Sequence, residues 1–401
     1  MRVVVTGIGI ISSIGFSVEE TLESLLRQHS GVGPLEILKT VHNDIPCAEI
    51  KLDDAGFRKR LGISDSDIIT RTSMMGICAV KEALEKASLQ TLLSDTNKNH
   101  RIGLISGTTV GGMEKSEQYY SDFTSNDNHK EYIEAHDCGA CTEKIADYFG
   151  CFSYLATTST ACSSAANSLS LGADLIKNGS LEVAVAGGSE CLTKFHLNGF
   201  NSLMILDSKP CRPFDDTRAG LNLGEGAAYI VLESLEHAQA RGANIYCELS
   251  GYANACDAFH QTASSPEGIG ATISMKKAIE AAGLLPSDID YVNAHGTGTS
   301  NNDLSESNAM LTVFDGKIPP FSSTKPYTGH TTSASGSIEV VISILSMQNN
   351  FIPPNLNFGI PMKEVNAIPV STVVKNVELR HILTNSFGFG GNNTSLVLSK
   401  L

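Results

Sequence analysis

The chain has 401 residues, a net charge of −14, 41% apolar and 18% charged residues, 36 Gly and no Trp. That length and apolar share suit one large globular domain or two ordinary ones and exclude a disordered chain. The negative charge argues against nucleic acid and against an anionic membrane surface as partners, because both need clustered Lys and Arg. Ten cysteines without a framework spacing point to free thiols in a reducing compartment. The N-terminal MRVVVTGIGIISSIGF has the basic residue and apolar run of a secretory leader. Gly and Thr interrupt that run, however, and no clear small-x-small cleavage site follows. It reads instead as a buried strand entering the helix SVEETLESLLRQ, with Ser17 as cap and Glu20 three residues later.

Helix and strand then alternate. TSMMGICAVKEALEKA reads as a helix and RIGLISGTT as the strand after it. YLATTSTA reads as a strand, and SSAANSLSLGADLIKNG as a helix ending at Gly179. LEVAVAGGSE follows, and AAYIVLESLEHAQARG closes the first series. A second series runs through IYCELSGYAN, the helix GATISMKKAIEAAG, IDYVNAHG and IPPFSSTK. It continues with the helix SGSIEVVISILSMQNN and ends in HILTNSFGFGG and TSLVLSKL. Such alternation implies α/β architecture with apolar strands covered on both faces. Two successive series suggest two similar halves, 1–245 and 246–401, with no Pro- or Ser-rich linker between them. No run reaches transmembrane length, so a soluble cytoplasmic protein is expected.

The Gly-rich turns do not make a nucleotide site. TGIGIISSIG is not G-x-G-x-x-G, GTTVGGM lacks the P-loop Lys, and SFGFGGNN precedes a strand. Cys138 and Cys141 form a lone C-x-x-C without a second pair for zinc. No metal site is expected.

TSTACSSAANSL places one thiol, Cys162, among small residues at a strand-to-helix turn. There the helix dipole and unpaired N–H groups favour thiolate, and small neighbours let backbone and substrate come close. Most of the eleven histidines, including His29, His237 and His260, sit in surface-like contexts. His295 in YVNAHGTGTSNND and His330 in SSTKPYTGHTTSASG differ. Each ends an apolar run and opens into small residues, where catalytic groups gather in open α/β sheets.

With these segments in view the chain resembles the β-ketoacyl-acyl carrier protein synthases of the thiolase-like superfamily, in their Cys-His-His elongating branch. TACSSA, VNAHGTGT, SSTKPYTGH and NSFGFGGNN occur in that family's order, joined by RPFDDTRAGLNLGEGAA at 212–228. The resemblance spans residue 2 to the C-terminus. It implies a five-layer α-β-α-β-α fold of two pseudo-symmetric halves, and a decarboxylating Claisen condensation in fatty acid, polyketide or polyene synthesis. Under it Cys162 is the nucleophile, and His295 and His330 bind the malonyl carbonyl. Lys325 orders the site with Glu339 as charge partner. Phe389 is the gate, and its N–H joins that of Cys162 in the oxyanion hole. Thr297 and Thr299 bind the pantetheine arm, Phe387 contacts substrate, and Val110 stands at the acyl-pocket floor. The resemblance implies no free cofactor, substrates on the phosphopantetheine of an acyl carrier protein, and a homodimer or a heterodimer with a homologous subunit.

Departures lie outside the catalytic set. Ser153 and Tyr154 replace a Gly-Pro pair, 128–148 is unusually polar, and MILDSKPCRPFDD is short. SDSDIIT at 64–70 is acidic where basic carrier-docking residues are common, and Asn392 stands where Thr is common. They suggest a specialised role. Three other readings fit less well. A non-decarboxylating thiolase needs a second cysteine, and a chain-length-factor subunit has lost its nucleophile. A papain-like hydrolase explains one histidine but not two.

Overall fold

All ten residues of the first strand are buried, as a strand covered on both faces requires. In the computed structural model, which describes residues 1–90, 101–126 and 128–401, that strand is β1 (Val3–Ser12). After it come α1 (Val18–Leu26), α2 (Asp54–Leu61), α3 (Arg71–Lys86), β2 (Ile102–Gly107), α4 (Met113–Ser125) and α5 (Cys138–Phe149). β3 (Tyr154–Thr158), α6 (Ser164–Lys177), β4 (Val183–Glu190), α7 (Lys194–Ser202), β5 (Gly226–Ser234) and α8 (Leu235–Ala240) follow. The second series holds β6 (Cys247–Cys256), α9 (Ile269–Ala281), β7 (Tyr291–Asn293), α10 (Ser300–Val313), β8 (Phe321–Ser322) and α11 (Lys325–Thr328). It closes with α12 (Ser335–Asn349), β9 (Phe351–Ile352), β10 (Val374–Lys375), β11 (His381–Gly388) and β12 (Asn392–Ser399). As expected, Ser17 caps α1 by accepting the Glu20 N–H. The Glu20 carboxylate reaches back to Phe16, one residue before the cap.

Ten strands form one continuous sheet, β3-β2-β4-β5-β1-β6-β12-β11-β7-β8, and β9 and β10 pair separately. The sheet is two sets of five. Numbered within its own series, each set has the order 3-2-4-5-1. In each, the third, second and fourth strands are parallel, and the fifth pairs antiparallel with the fourth and the first. The sets meet only where Val4 and Val5 of β1 face Glu248 and Cys247 of β6. Helices α3 and α5 pack outside the first set and α9 and α10 outside the second, with α6 and α12 between the two sets. The result is five layers, α-β-α-β-α.

α12 is buried at every position from Ser335 to Met347, the pattern of a helix enclosed on all sides. It meets α6 at backbone distance. A Cβ on Gly336 would stand 2.8 Å from the Ala166 nitrogen, and one on Gly107 of β2 would stand 2.7 Å from that of Ala165. The small residues after Cys162 therefore serve close packing in the middle layer.

The expected strand over 154–161 stops at Thr158, and α6 ends at Lys177, two residues before Gly179. α4, α7 and α10 carry little sequence signal. α10 buries Asp303, Ser305, Glu306 and Ser307 beside Ala309 and Met310, which erases its apolar stripe. Among the described residues no helix is long and apolar enough to cross a membrane.

Candidate active site

β3 passes into α6 through a tight turn. Ala161 takes φ +52°, a left-handed value costing a non-Gly residue about 1–3 kcal/mol. This turn sets Cys162 ahead of the α6 cap Ser163, buried at 5% exposure. Burial pushes the thiol up to about 11, against the charge of Lys325 and the Phe389 N–H at the sulfur, which favour the anion.

The loop before α12 occupies in the second half the place that the Cys162 turn occupies in the first. It carries His330, whose Nε2 lies 3.1 Å from the Cys162 Sγ and whose Nδ1 lies 3.0 Å from Ser335 Oγ. His295 follows β7 by two residues, and its ring lies 5.3 Å from that of His330, edge to face. Burial first, then the charge of Lys325, holds both imidazoles well below their usual value, so both are neutral. Lys325 Nζ donates to His295 O at 2.5 Å and to Glu339 Oε1 at 2.5 Å, and lies 3.2 Å from His295 Nδ1. An ammonium is only a donor, so His295 Nδ1 accepts and Nε2 carries the proton. If Ser335 likewise donates to His330 Nδ1, both rings present Nε2–H to the space beside the thiol. Burial raises Glu339 to about 7, with Lys325 opposing.

A cavity of about 350 Å³ opens here, lined by Cys162, both histidines, Thr297, Thr299 and Phe389. The two threonine hydroxyls are 2.8 Å apart. Phe387 also lines it, 5.9 Å from the His295 ring, and Phe389 stacks on Phe200 at 5.5 Å. Val110 does not line this cavity. It is buried in a separate apolar cluster with Cys141 and Ile145, its N–H donating to Glu190. Lys325 and Glu339 stand behind the histidines, outside the cavity wall.

Several groups here carry no sequence signal. Glu306 of α10 accepts the N–H groups of His295 and Gly296, and Asp303 those of Thr297, Gly298 and Phe214. Glu190, ending β4, holds Thr109 and Val110 in the first half and Thr332 and Ser333 in the second. His196 of α7 is buried against Phe200, which lowers its pKa while Glu190 opposes. Glu190 answers groups 80 to 143 positions away, and Glu306 and Asp303 answer backbone N–H groups of the loop before α10, which no side-chain motif announces.

All ten cysteines are free. Burial raises both thiols of the C-x-x-C, Cys141 to about 12. Among the described residues no group of three or more His, Cys, Asp or Glu is placed to hold a metal.

A buried thiol touched by one of two neutral histidines, beside a backbone N–H, defines a site for acyl-thioester chemistry. Comparison with known proteins agrees. The beta-ketoacyl synthase N-terminal domain family matches residues 1–238, and the C-terminal domain family matches 246–359. The chain is 33% identical over 413 residues to 3-oxoacyl-[acyl-carrier-protein] synthase 2 of Staphylococcus aureus (strain MRSA252), covering 100% of this chain and 98% of the relative. The ishigamide ketosynthase/chain length factor superposes with a TM-score of 0.91 at 29% identity, covering 100% of this chain and 99% of that one. The AntDE ketosynthase, solved with its type II polyketide acyl-carrier protein AntF and a hexaketide, superposes with a TM-score of 0.88 at 25% identity, covering 100% and 99%. The chain belongs to the β-ketoacyl synthase family.

Proposed function

We propose that this chain joins an acyl group to a malonyl unit by decarboxylating condensation, giving a 3-oxoacyl-acyl carrier protein two carbons longer. The observation that carries the residue assignment is the placement of one neutral imidazole against a buried thiol, with a second neutral imidazole beside the first. Cys162 attacks the acyl thioester, and the oxyanion is met by the N–H groups of Cys162 and Phe389. The carrier thiol leaves with the proton of Cys162. Malonyl-carrier protein enters, and its thioester carbonyl oxygen accepts the Nε2–H bonds of His295 and His330. These donors are worth most in a dry site where charge develops. Carbon dioxide departs, and the enolate attacks the acyl-Cys162 carbonyl. A carbon–carbon bond forms as the thiolate leaves. Lys325, paired with Glu339, holds the His295 tautomer. Thr297 and Thr299 face the pantetheine arm, and Phe387 and Phe389 the substrate.

The partner is an acyl carrier protein with its phosphopantetheine, and no free cofactor is called for. The halves 1–245 and 246–401 act as two thiolase-like units, with the nucleophile on the first and the histidines on the second. A second copy, or a homologous ketosynthase subunit, pairs through the β3 edge, and the setting is cytoplasmic. The AntDE structure with its acyl-carrier protein supports the carrier assignment, and the ishigamide ketosynthase/chain length factor supports the subunit assignment. Intact-protein mass spectrometry tests the whole reading. An acyl adduct on the wild type, absent from Cys162→Ala and cleared by malonyl-carrier protein to a longer product, supports it. No adduct from any acyl-carrier protein offered to folded protein sinks it.

A further inference from the structure

The turn joining β11 to β12 has little of its own to hold it in place. Between Gly388 and its cross-strand partner Asn392 lie Phe389, Gly390 and Gly391, with both glycines at left-handed φ of +79° and +77°. Gly390 donates to Gln261 O, and Gly391 O accepts from Asp257, but these bonds tie the turn to 257–261, away from the thiol. On the other side Gly388 lies flat against the nucleophile turn. A Cβ there would sit 3.1 Å from Cys162 N and 3.1 Å from Thr160 O. The two N–H groups assigned above to the oxyanion hole thus sit on separate turns whose spacing something must fix.

Asn392 is placed to fix it. Its Oδ1 accepts from Asn167 Nδ2 at 3.0 Å and from Asn254 Nδ2 at 2.6 Å, and it lies 2.7 Å from Ser163 Oγ, whose single proton it shares with Thr160 O. Ser163 adjoins Cys162, Asn167 is one turn into α6, and Asn254 is on β6. Ser163 Oγ and Asn167 Nδ2 also reach Thr160, and Asn167 Oδ1 accepts from Thr394 of β12. One carboxamide oxygen therefore joins the gate hairpin, the nucleophile turn and the second-half sheet. The two amide donors also fix which end of Asn392 faces in.

We infer that Asn392 is a positioning residue that sets the distance between the Cys162 and Phe389 N–H groups, and so the fit of the oxyanion hole. This rests on the oxyanion hole of the proposed function and adds a residue to it. A misplacement of about 1 Å costs a well-oriented reaction on the order of 100-fold, and loss of one oxyanion donor costs about 100- to 1000-fold.

The test compares two reactions of one thiol. Transfer from acyl-carrier protein passes through a tetrahedral oxyanion, whereas alkylation by iodoacetamide displaces iodide and forms none. In Asn392→Ala, acyl transfer to Cys162 should slow about 10- to 100-fold at unchanged acyl-carrier KM, with alkylation within twofold of wild type. Asn392→Asp keeps the acceptor and should recover most of the loss. If Asn392→Ala proves unfolded, Asn254→Ala, which removes one donor, should show the same selective loss in smaller measure. Acyl transfer unchanged in folded Asn392→Ala overturns the inference. So does a parallel fall in alkylation and acyl transfer, or an Asp variant no better than Ala. Wild type that alkylates but never acylates would instead count against the proposed function.

Discussion

His330 Nε2 lies 3.1 Å from Cys162 Sγ, and both groups are neutral at rest. Burial explains both facts. It penalises the thiolate, raising Cys162 to about 11, and it penalises the imidazolium of its neighbour. The pair is therefore thiol and imidazole, not the thiolate–imidazolium pair of a cysteine protease. That suits a site whose histidines must later donate to an enolate without protonating it.

Alkylation of Cys162 should report this state directly. With the thiol near 11, the thiolate fraction grows about tenfold for each pH unit and reaches no plateau below about pH 10. Rate against pH with iodoacetamide, followed by intact mass, checks it. A plateau near pH 7 would mean an ion pair and a different resting state.

The tautomers lead to a second prediction. Lys325 fixes the proton of His295 on Nε2, the nitrogen free to meet the malonyl carbonyl. His295→Ala removes that donor and leaves the Cys162 turn untouched. Its acyl adduct should form at close to the wild-type rate, while clearance by malonyl-carrier protein slows about 100- to 1000-fold. Stalled adduct in a time course is the readout. Equal loss of both steps would place His295 in acylation instead.

Legibility in the sequence followed locality. Cys162, His295 and His330 stand out because each sits where an apolar run breaks into Gly, Ser and Thr, and their family motifs are contiguous. The alternation of apolar runs likewise gives the α/β order, since strands such as β1 and β4 are buried at every position. The supports stay hidden. Glu190 acts on Val110 and Ser333, and Asn392 acts on Ser163, across 80 to 229 positions. A carboxylate in a helix of mixed composition, such as Glu306 in α10, looks solvated until the backbone N–H it satisfies is seen. The smallness of the segment after Cys162 was visible, but its cause lay in the crossing of α12.

Lys325 and Glu339 are 2% and 3% exposed, an ion pair with almost no water. Removing Lys325 takes away the charge that opposes burial at Glu339, so the carboxyl must stay as an unpaired buried charge or take up a proton, at a cost of up to about 3–5 kcal/mol. Lys325→Met should therefore lower Tm clearly, and Lys325→Met with Glu339→Gln should recover most of that stability. Neither variant should condense, because the His295 tautomer is no longer held. Calorimetry beside the product assay separates the two effects. Full activity in the double variant would show that the pair serves folding alone.

β3 ends the sheet and pairs with β2 on one side only, with Tyr154 and Leu155 38% and 42% exposed. An open edge bearing apolar side chains is a template for another strand. If a second subunit completes the sheet there, the wild type should run as a dimer, and Leu155→Lys should bring a charge to the middle of the contact. Sedimentation should then show half the mass at micromolar protein, with Tm little changed, since Leu155 supports no part of the core of its own chain. The nucleophile lies just beyond this strand, so the monomer should also acylate more slowly. A wild type that sediments as a monomer, or a Leu155→Lys variant that remains a dimer, would remove this edge from the assembly.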